Sequence, residues 1–139
     1  MSTTSSVPAA GAIAIESLIG EQLVRVQADA TVADVAGAIA DNQVGAVIVG
    51  HDPRPTALVT ERDVVRVVAS GRDPAAVHAA EVASTGLVWC EAEDTVDSAA
   101  IRMTDRQIRH LLVENDGALV GIVSARDLLG VYATDAERV

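Results

Sequence analysis

Hydrophobic positions along the chain alternate between short unbroken runs and stretches with helical spacing. Between Thr31 and Ala40, apolar residues recur at i, i+3, i+4, i+7 and i+8, which predicts a helix with one buried face. The apolar runs at 23–26, 46–49 and 56–59 are too short for helices and predict strands. Thr60 begins a second helix that extends to about Ser70. The first half of the chain is therefore predicted to fold as β-α-β-β-α.

The same order of elements recurs when the sequence is shifted by 64 residues, without a gap. The segment Leu58–Asp63 then falls on Ile122–Asp127, and both contain a hydroxyl residue, an arginine and an aspartate in the same places. The second copy predicts strands at 87–90, 110–113 and 119–123 and helices at 95–106 and 124–132. Asn115-Asp116-Gly117, between its last two strands, is typical of a tight β-hairpin. The chain is thus a tandem of two homologous units.

These boundaries predict an α+β fold with a flexible N-terminal tail at 1–12, one repeat at 13–72 and a second repeat at 73–139. Residues 75–83 are predicted to form a short helix that leads into the second repeat. A unit of this length buries only a marginal core on its own. We therefore expect the two repeats to pack sheet against sheet about a pseudo-twofold axis. That packing would place their last strand–helix junctions on opposite sides of a shared cleft.

Composition excludes several classes of function. Ten arginines stand against twenty acidic residues, so the formal net charge is −10, and nucleic-acid binding is not expected. No run approaches the roughly 20 apolar residues of a membrane helix. The single cysteine, Cys90, excludes an internal disulfide framework. Because the first residues lack a signal-peptide pattern, we expect a cytoplasmic protein, and the absence of Lys and Phe suggests a GC-rich bacterial genome.

Two strand–helix junctions contain the residues with the most suggestive chemistry. Thr60 and Ser124 each end a predicted strand, and Asp63 and Asp127 follow at the third helical position. The N–H groups and dipole at a helix start suit a phosphate, a hydroxyl adds a hydrogen bond, and a carboxylate accepts from ribose hydroxyls. The same spacing is also a helix capping box. The pattern therefore leaves both a nucleotide site and a helix cap open, and the two functions can coexist.

The repeated ending resembles that of the CBS domain, a family named for cystathionine beta-synthase, which reads Gly-Ile-Val, then Ser or Thr, two variable residues and Asp. Residues 121–127 match this ending in full, and residues 57–63 match it with Ala in place of Gly. The start of the middle strand at 107–111 is also similar. The resemblance covers residues 13–135 and implies a CBS pair, or Bateman module. Such a pair binds adenosine-containing ligands, such as AMP, ADP, ATP or S-adenosylmethionine, in clefts between its repeats.

The resemblance also implies that each site combines the hydroxyl–Asp motif of one repeat with strand residues of the other. One site would use Thr60, Asp63, Val88, Ile108, Arg109 and His110. The other site would use Ser124, Asp127, Val24, Val44, Gly45 and Ala46. Because Arg109 supplies a positive charge and His110 a titratable donor, whereas Gly45 and Ala46 supply no side-chain charge, we expect phosphorylated nucleotides to prefer the first site.

These features together predict a stand-alone regulatory or sensor module, not an enzyme. No catalytic triad, metal-ligand spacing or glycine-rich phosphate loop occurs, so we expect no catalysis and no required cofactor or metal. The adenosyl nucleotide that the resemblance implies would be a regulatory ligand. Apolar positions on the last helix of each repeat predict a homodimer: Val64, Val65, Val67, Val68, Leu128, Leu129, Val131 and Tyr132. Ligand occupancy would act through self-association or an effector protein. The alternative is a structural protein–protein interaction module with vestigial clefts, in which the motifs are only caps.

Overall fold

The computed structural model describes residues 9–19 and 23–137, the last three of them in backbone only. Six strands are present in this part of the chain: β1 (Arg25–Val26), β2 (Ala46–Val49), β3 (Leu58–Thr60), β4 (Trp89–Glu91), β5 (His110–Asn115) and β6 (Ala118–Ser124). The α-helices are α1 (Val32–Asn42), α2 (Glu61–Ala69), α3 (Ala79–Val82), α4 (Val96–Arg106) and α5 (Ala125–Glu137). Two short 3-10 helices, Ala10–Ala12 and Ile15–Leu18, precede them.

The described strands form two sheets of the same topology. In the order β1-β2-β3, the first pair is parallel and the second antiparallel, and the order β4-β5-β6 repeats this pattern. The chain divides into two compact units around these sheets. The first unit is Glu21–Leu87, and the second unit joins Met1–Gly20 to Val88–Val139. The predicted α+β fold of two β-α-β-β-α repeats is confirmed.

Individual hydrogen bonds are also repeated at equivalent positions of the two units. The Glu61 amide donates to the Gly45 carbonyl at 3.0 Å, and the Ala125 amide donates to the Arg109 carbonyl at 2.8 Å in the second unit. Helices α1 and α4 both end at a glutamine, Gln43 or Gln107, in the left-handed conformation with a φ of 54°. Two sequences with modest identity therefore fold onto one backbone plan.

Each sheet packs one face against its own helices through branched aliphatic side chains. In the first unit the fully buried centre includes Val35, Val47 and Val59, one residue each from α1, β2 and β3. In the second unit the buried cluster is larger: Ile15, Cys90, Ala92, Val96, Ala99, Met103, Leu111, Val113, Val123 and Leu128. Burial of such side chains stabilises each unit by about 1.5–3 kcal/mol per residue.

The observed bounds of two strands and one helix differ from the sequence prediction. For the helix, backbone carbonyls accept hydrogen bonds from another helix instead. Strand β1 begins two residues later than predicted, and β3 covers 58–60 instead of 56–59. The helix predicted over 75–83 is helical only at 79–82. The Pro74 and Val77 carbonyls accept from the Ala33 and Val32 amides of α1, so they are not available for hydrogen bonds within a helix before α3. Tertiary hydrogen bonds override local helix propensity here.

The N-terminal segment also differs from its sequence interpretation. Residues 9–12, expected to belong to a flexible tail, include a 3-10 helix with Ala10 buried. Residues 1–8 of that predicted tail lie outside the described residues. The segment from Ala10 to Leu18 belongs to the second unit, although residues 13–18 are predicted to open the first repeat.

The β5–β6 hairpin confirms the turn predicted from Asn-Asp-Gly. Asn115 pairs with Ala118, and the two residues between them, Asp116 and Gly117, both have positive φ, of 54° and 82°. Positive φ at both central positions matches the right-handed twist of the flanking strands. The turn therefore fixes the register of the longest strand pair.

Replacement of Gly117 by Ala tests this turn. An added methyl group would meet no atom within 4 Å, so the cost comes from the positive φ alone, and we expect a loss of about 1 kcal/mol in unfolding free energy. Gly37→Ala in α1 is the matched control, because it also adds a methyl into open space but should stabilise the helix by about 0.5–1 kcal/mol. Urea denaturation measures both, and effects of equal sign would contradict the turn assignment.

The core position of Cys90 predicts an unreactive thiol. The side chain is 3% exposed, and burial, followed by the charge of Asp94, raises the pKa of this thiol to about 11. Since the folded thiol keeps its proton to higher pH than a free thiol, folding should become less favourable as pH rises from 9 to 11. With an aromatic disulfide reagent at pH 8, we expect negligible labelling of native protein and rapid labelling in urea. Fast, complete labelling of the native protein would show that the thiol is not buried.

Candidate functional site

The two junctions singled out by the sequence have the same hydrogen-bonded geometry. Thr60 ends β3 and caps α2: its Oγ1 accepts from the Asp63 amide at 3.3 Å, and Asp63 Oδ2 accepts from the Thr60 amide at 2.9 Å. Ser124 ends β6, where its Oγ accepts from the Asp127 amide at 3.1 Å and Asp127 Oδ2 accepts from the Ser124 amide at 2.8 Å. Both motifs therefore form reciprocal capping boxes.

The capping interpretation is thus confirmed at both junctions, and a third box shows how general it is. At α1, Thr31 and Asp34 form the same reciprocal pair, at 2.9 and 3.1 Å. Here a further carbonyl, that of Pro74, accepts from the Ala33 amide at 3.0 Å. For the equivalent Arg62 amide of α2, the described part of the chain contains no such carbonyl bond. The boxes of α1 and α2 are therefore alike as caps. They differ in whether the second helical amide donates to a carbonyl from outside the helix.

The cap leaves part of Asp63 available. Its Oδ2 accepts from both the amide and the hydroxyl of Thr60, whereas Oδ1 lies 3.8 Å from a guanidinium nitrogen of Arg66. The Asp63 side chain is 12% exposed and that of Arg66 is 70% exposed. A carboxylate fixed through one oxygen presents the other in a defined direction, which suits a pair of ligand hydroxyl donors.

Strand residues predicted for the sites flank the junctions within each unit. Ala46 pairs with Thr60 across β2 and β3, and the Gly45 carbonyl accepts from the first amide of α2. In the second unit, His110 pairs with Ser124, and the Arg109 carbonyl accepts from the first amide of α5. Gly45 and Arg109 therefore hold equivalent backbone positions with different side chains.

The remaining candidates also lie on or next to the middle and first strands. Val24 and Val88 precede β1 and β4, and their carbonyls accept from Ile48 and Leu112 at 2.9 and 3.0 Å. Val44 and Ile108 precede β2 and β5 and are half-buried in their own units. The first unit thus holds Val24, Val44, Gly45, Ala46, Thr60 and Asp63, and the second unit holds Val88, Ile108, Arg109, His110, Ser124 and Asp127. Each predicted site draws on both units, and these combinations stay predictions.

Sequence reasoning missed the contact between Arg66 and Asp63. The i, i+3 spacing on one helix was a signal for it, since such pairs are neighbours on the helix surface. Gly130 stands at the equivalent position of α5, so the Ser124–Asp127 junction lacks the arginine that the Thr60–Asp63 junction has there. The backbone carbonyls of Gly45 and Arg109 carry no sequence signature, and pattern reasoning could not identify their role.

Other kinds of site find no support in the described residues. No group of three or more His, Cys, Asp or Glu side chains in this part of the chain is arranged to hold a metal ion. None of the helices described here is long and apolar enough to span a bilayer.

Comparison with known proteins gives the family. The model of the CBS domain matches twice, at residues 15–70 and 79–134. An uncharacterised protein of Methanopyrus kandleri is 35% identical over 104 residues, which cover 73% of this chain and 53% of that protein. The chain thus spans about half the length of that relative. The CBS domain-containing protein YhcV of Bacillus subtilis is 30% identical over 115 residues, covering 82% of this chain and 81% of its own.

A solved structure matches nearly the whole chain. It is a CBS domain protein of Pyrobaculum aerophilum in complex with AMP, 33% identical, with a TM-score of 0.75. The match covers 88% of this chain and 99% of that protein. Two matches to the domain model, the doubled β-α-β-β-α units and these relatives agree, and the chain belongs to the CBS domain family, with two CBS domains in tandem.

Proposed function

We propose that this CBS pair is a regulatory module that binds an adenosine-containing ligand through its two hydroxyl–aspartate junctions. The observation that carries the proposal is the complex with AMP of the Pyrobaculum aerophilum protein, which aligns with nearly all of this chain at 33% identity. The chain has both junctions in capped form, at the ends of β3 and β6, and this supports them as the positions that would bind such a ligand.

The chemistry of each junction suits the two ends of a nucleotide. The start of α2 or α5 combines backbone N–H groups with the positive end of a helix dipole, which favours a phosphate. Asp63 Oδ1 and its equivalent in Asp127 would accept from ribose hydroxyls while Oδ2 keeps the cap intact. Cap and ligand therefore use different oxygens of one carboxylate, and binding requires no loss of the helix N-terminus.

We further propose that the strand residues of one unit complete the site of the other. Thr60 and Asp63 would then be joined by Val88, Ile108, Arg109 and His110. Ser124 and Asp127 would be joined by Val24, Val44, Gly45 and Ala46. The exposed guanidinium of Arg109 would favour a phosphorylated nucleotide in the first site. A less anionic adenosyl ligand would suit the second.

This ligand chemistry supports a regulatory role rather than a catalytic one. The junction residues are a cap hydroxyl and a carboxylate held by backbone amides, which bind and orient a ligand without activating a nucleophile. Nucleotide occupancy would then be transmitted through association with a second copy or with an effector protein.

Calorimetric titration with AMP, with three aspartate variants, tests ligand binding. Asp63→Ala and Asp127→Ala should each lower affinity at one site by about tenfold or more, because a charged hydrogen-bond acceptor is lost. Asp34→Ala is the matched control, since it destroys the same type of capping box at α1. All three variants should lose about 0.5–2 kcal/mol of stability, but Asp34→Ala should bind AMP as the parent protein does.

Two results would count against nucleotide binding. If the parent protein binds none of AMP, ADP, ATP and S-adenosylmethionine, the module is a structural interaction domain whose motifs are caps. If Asp34→Ala weakens binding as much as Asp63→Ala does, the effect comes from general destabilisation and not from ligand contact.

We also propose that the pair forms a homodimer through the last helix of each unit. Val65 and Val68 on α2 are 63% and 60% exposed, and Leu129 on α5, the repeat equivalent of Val65, is 68% exposed. By contrast, Val67 and Leu128 on the same helices are buried in their own units. Equivalent apolar residues exposed on both helices are suited to contact a second copy about a twofold axis.

Light scattering coupled to gel filtration tests the dimer. The parent protein should elute with about twice its chain mass of 14.3 kDa, and Val65→Glu or Leu129→Glu should shift it towards one chain mass, because a buried charge opposes association. Ile101→Glu is the matched control, because Ile101 on α4 is 61% exposed and lies outside the proposed interface. A monomeric parent protein, or equal effects of all three changes, would overturn the proposal.

A further inference from the structure

Residues 9–19, which we call the N-terminal strap, pack on the second unit through both backbone and side chains. The Ile13 carbonyl accepts from the Val96 amide at 2.9 Å, at the first position of α4, and the Ile15 amide donates to the Asp94 carbonyl at 2.8 Å. Ile15 is fully buried in the core of that unit. The strap thus caps α4 and fills part of the core beneath it.

Residues 74–83, which we call the linker strap, do the same for the first unit. The Val77 carbonyl accepts from the Val32 amide at 2.8 Å, at the first position of α1, and the Ala79 amide donates to the Ala30 carbonyl at 2.8 Å. Ala79 is fully buried. Each of these bonds corresponds to a bond of the N-terminal strap under the same shift of 64 residues that relates the repeats.

From this correspondence we propose that the two repeats exchange their leading segments. The N-terminal strap opens the first repeat in sequence but completes the second unit, and the linker strap opens the second repeat but completes the first unit. The inference does not depend on ligand binding. It means that neither repeat, cut at its sequence boundaries, contains the segment that caps its own first helix.

The contact of Ile19 with Gly121 shows how closely the N-terminal strap fits. A Cβ built on Gly121 of β6 would overlap Ile19 Cγ2, so no larger residue fits while Ile19 stays in place. The equivalent pair in the first repeat is Ala83 and Ala57. A large and a very small residue in one copy thus replace two small residues in the other. The sizes of the two positions are matched within each strap contact.

A size-exchange experiment on the full chain tests the docking of the N-terminal strap. The variants are Gly121→Ala, Ile19→Ala and the double change, which recreates the Ala/Ala pair of the first repeat. Amide hydrogen exchange is read at Val96, whose amide bonds to the strap, and at Val32, its equivalent in the first unit. Gly130→Ala in α5 is the control, because its added methyl would meet no atom within 4 Å.

The strap model predicts a specific pattern of protection. Gly121→Ala should lower the protection of Val96 by about tenfold or more while Val32 is unchanged, because overpacking displaces Ile19. The double variant should recover most of this loss, and Gly130→Ala should cause none. If Gly121→Ala fails to fold, Ile19→Ala alone is decisive, since loss of its side chain should lower protection at Val96 and not at Val32.

Two outcomes would overturn the exchange. Additive effects of the two single changes would show that Ile19 and Gly121 do not touch. Equal loss of protection at Val96 and Val32 in Ile19→Ala would show that the strap does not belong to the second unit.

Discussion

The unpaired amides at helix N-termini are the constraint on which the rest of the structure depends. Four longer helices follow strands or tight turns, and each begins with N–H groups that have no partner inside the helix. A hydroxyl accepts from the third helical amide in every case: Thr31, Thr60, Thr95 and Ser124. A carbonyl from outside the helix accepts from the first amide: Val77, Gly45, Ile13 and Arg109. One solution is therefore used four times.

The first and last helices of each repeat differ in which part of the chain supplies that carbonyl. At α1 and α4 it comes from a strap that crosses the helix start, and the strap covers the end of the helix with buried residues such as Ile15 and Ala79. At α2 and α5 it comes from the residue just before the neighbouring strand, in the same sheet. No strap crosses these two helix starts within the described residues. This difference supports the proposal of ligand sites at Asp63 and Asp127 and not at Asp34, because only Asp34 belongs to a helix start that a strap covers.

Side-chain patterns predicted the features that side chains determine. The tandem repeat, the order of the strands and helices, the Asn115-Asp116-Gly117 turn and the caps at Thr60 and Ser124 all followed from residue type and spacing. The straps did not, because their contribution to α1 and α4 is made by backbone carbonyls, which every residue carries. Residues 75–83 show the consequence, since their alanines favour a helix in isolation while the Val77 carbonyl is committed to α1. The proposed combination of site residues from two units would depend on tertiary packing, which spacing along the sequence does not encode.

The repeated backbone structure also explains how the two proposed sites can share one geometry and differ in chemistry. Gly45 and Arg109 make the same carbonyl bond, so the helix cap is kept with either a glycine or an arginine at this position. The same holds for Ala46 and His110, whose backbones pair with Thr60 and Ser124 in equivalent registers. The two junctions can therefore differ in the charge beside them while the same backbone bonds are kept. The side chains at the proposed ligand-binding positions can thus differ between the two copies, and the specificities of the two proposed sites can diverge while the architecture stays the same.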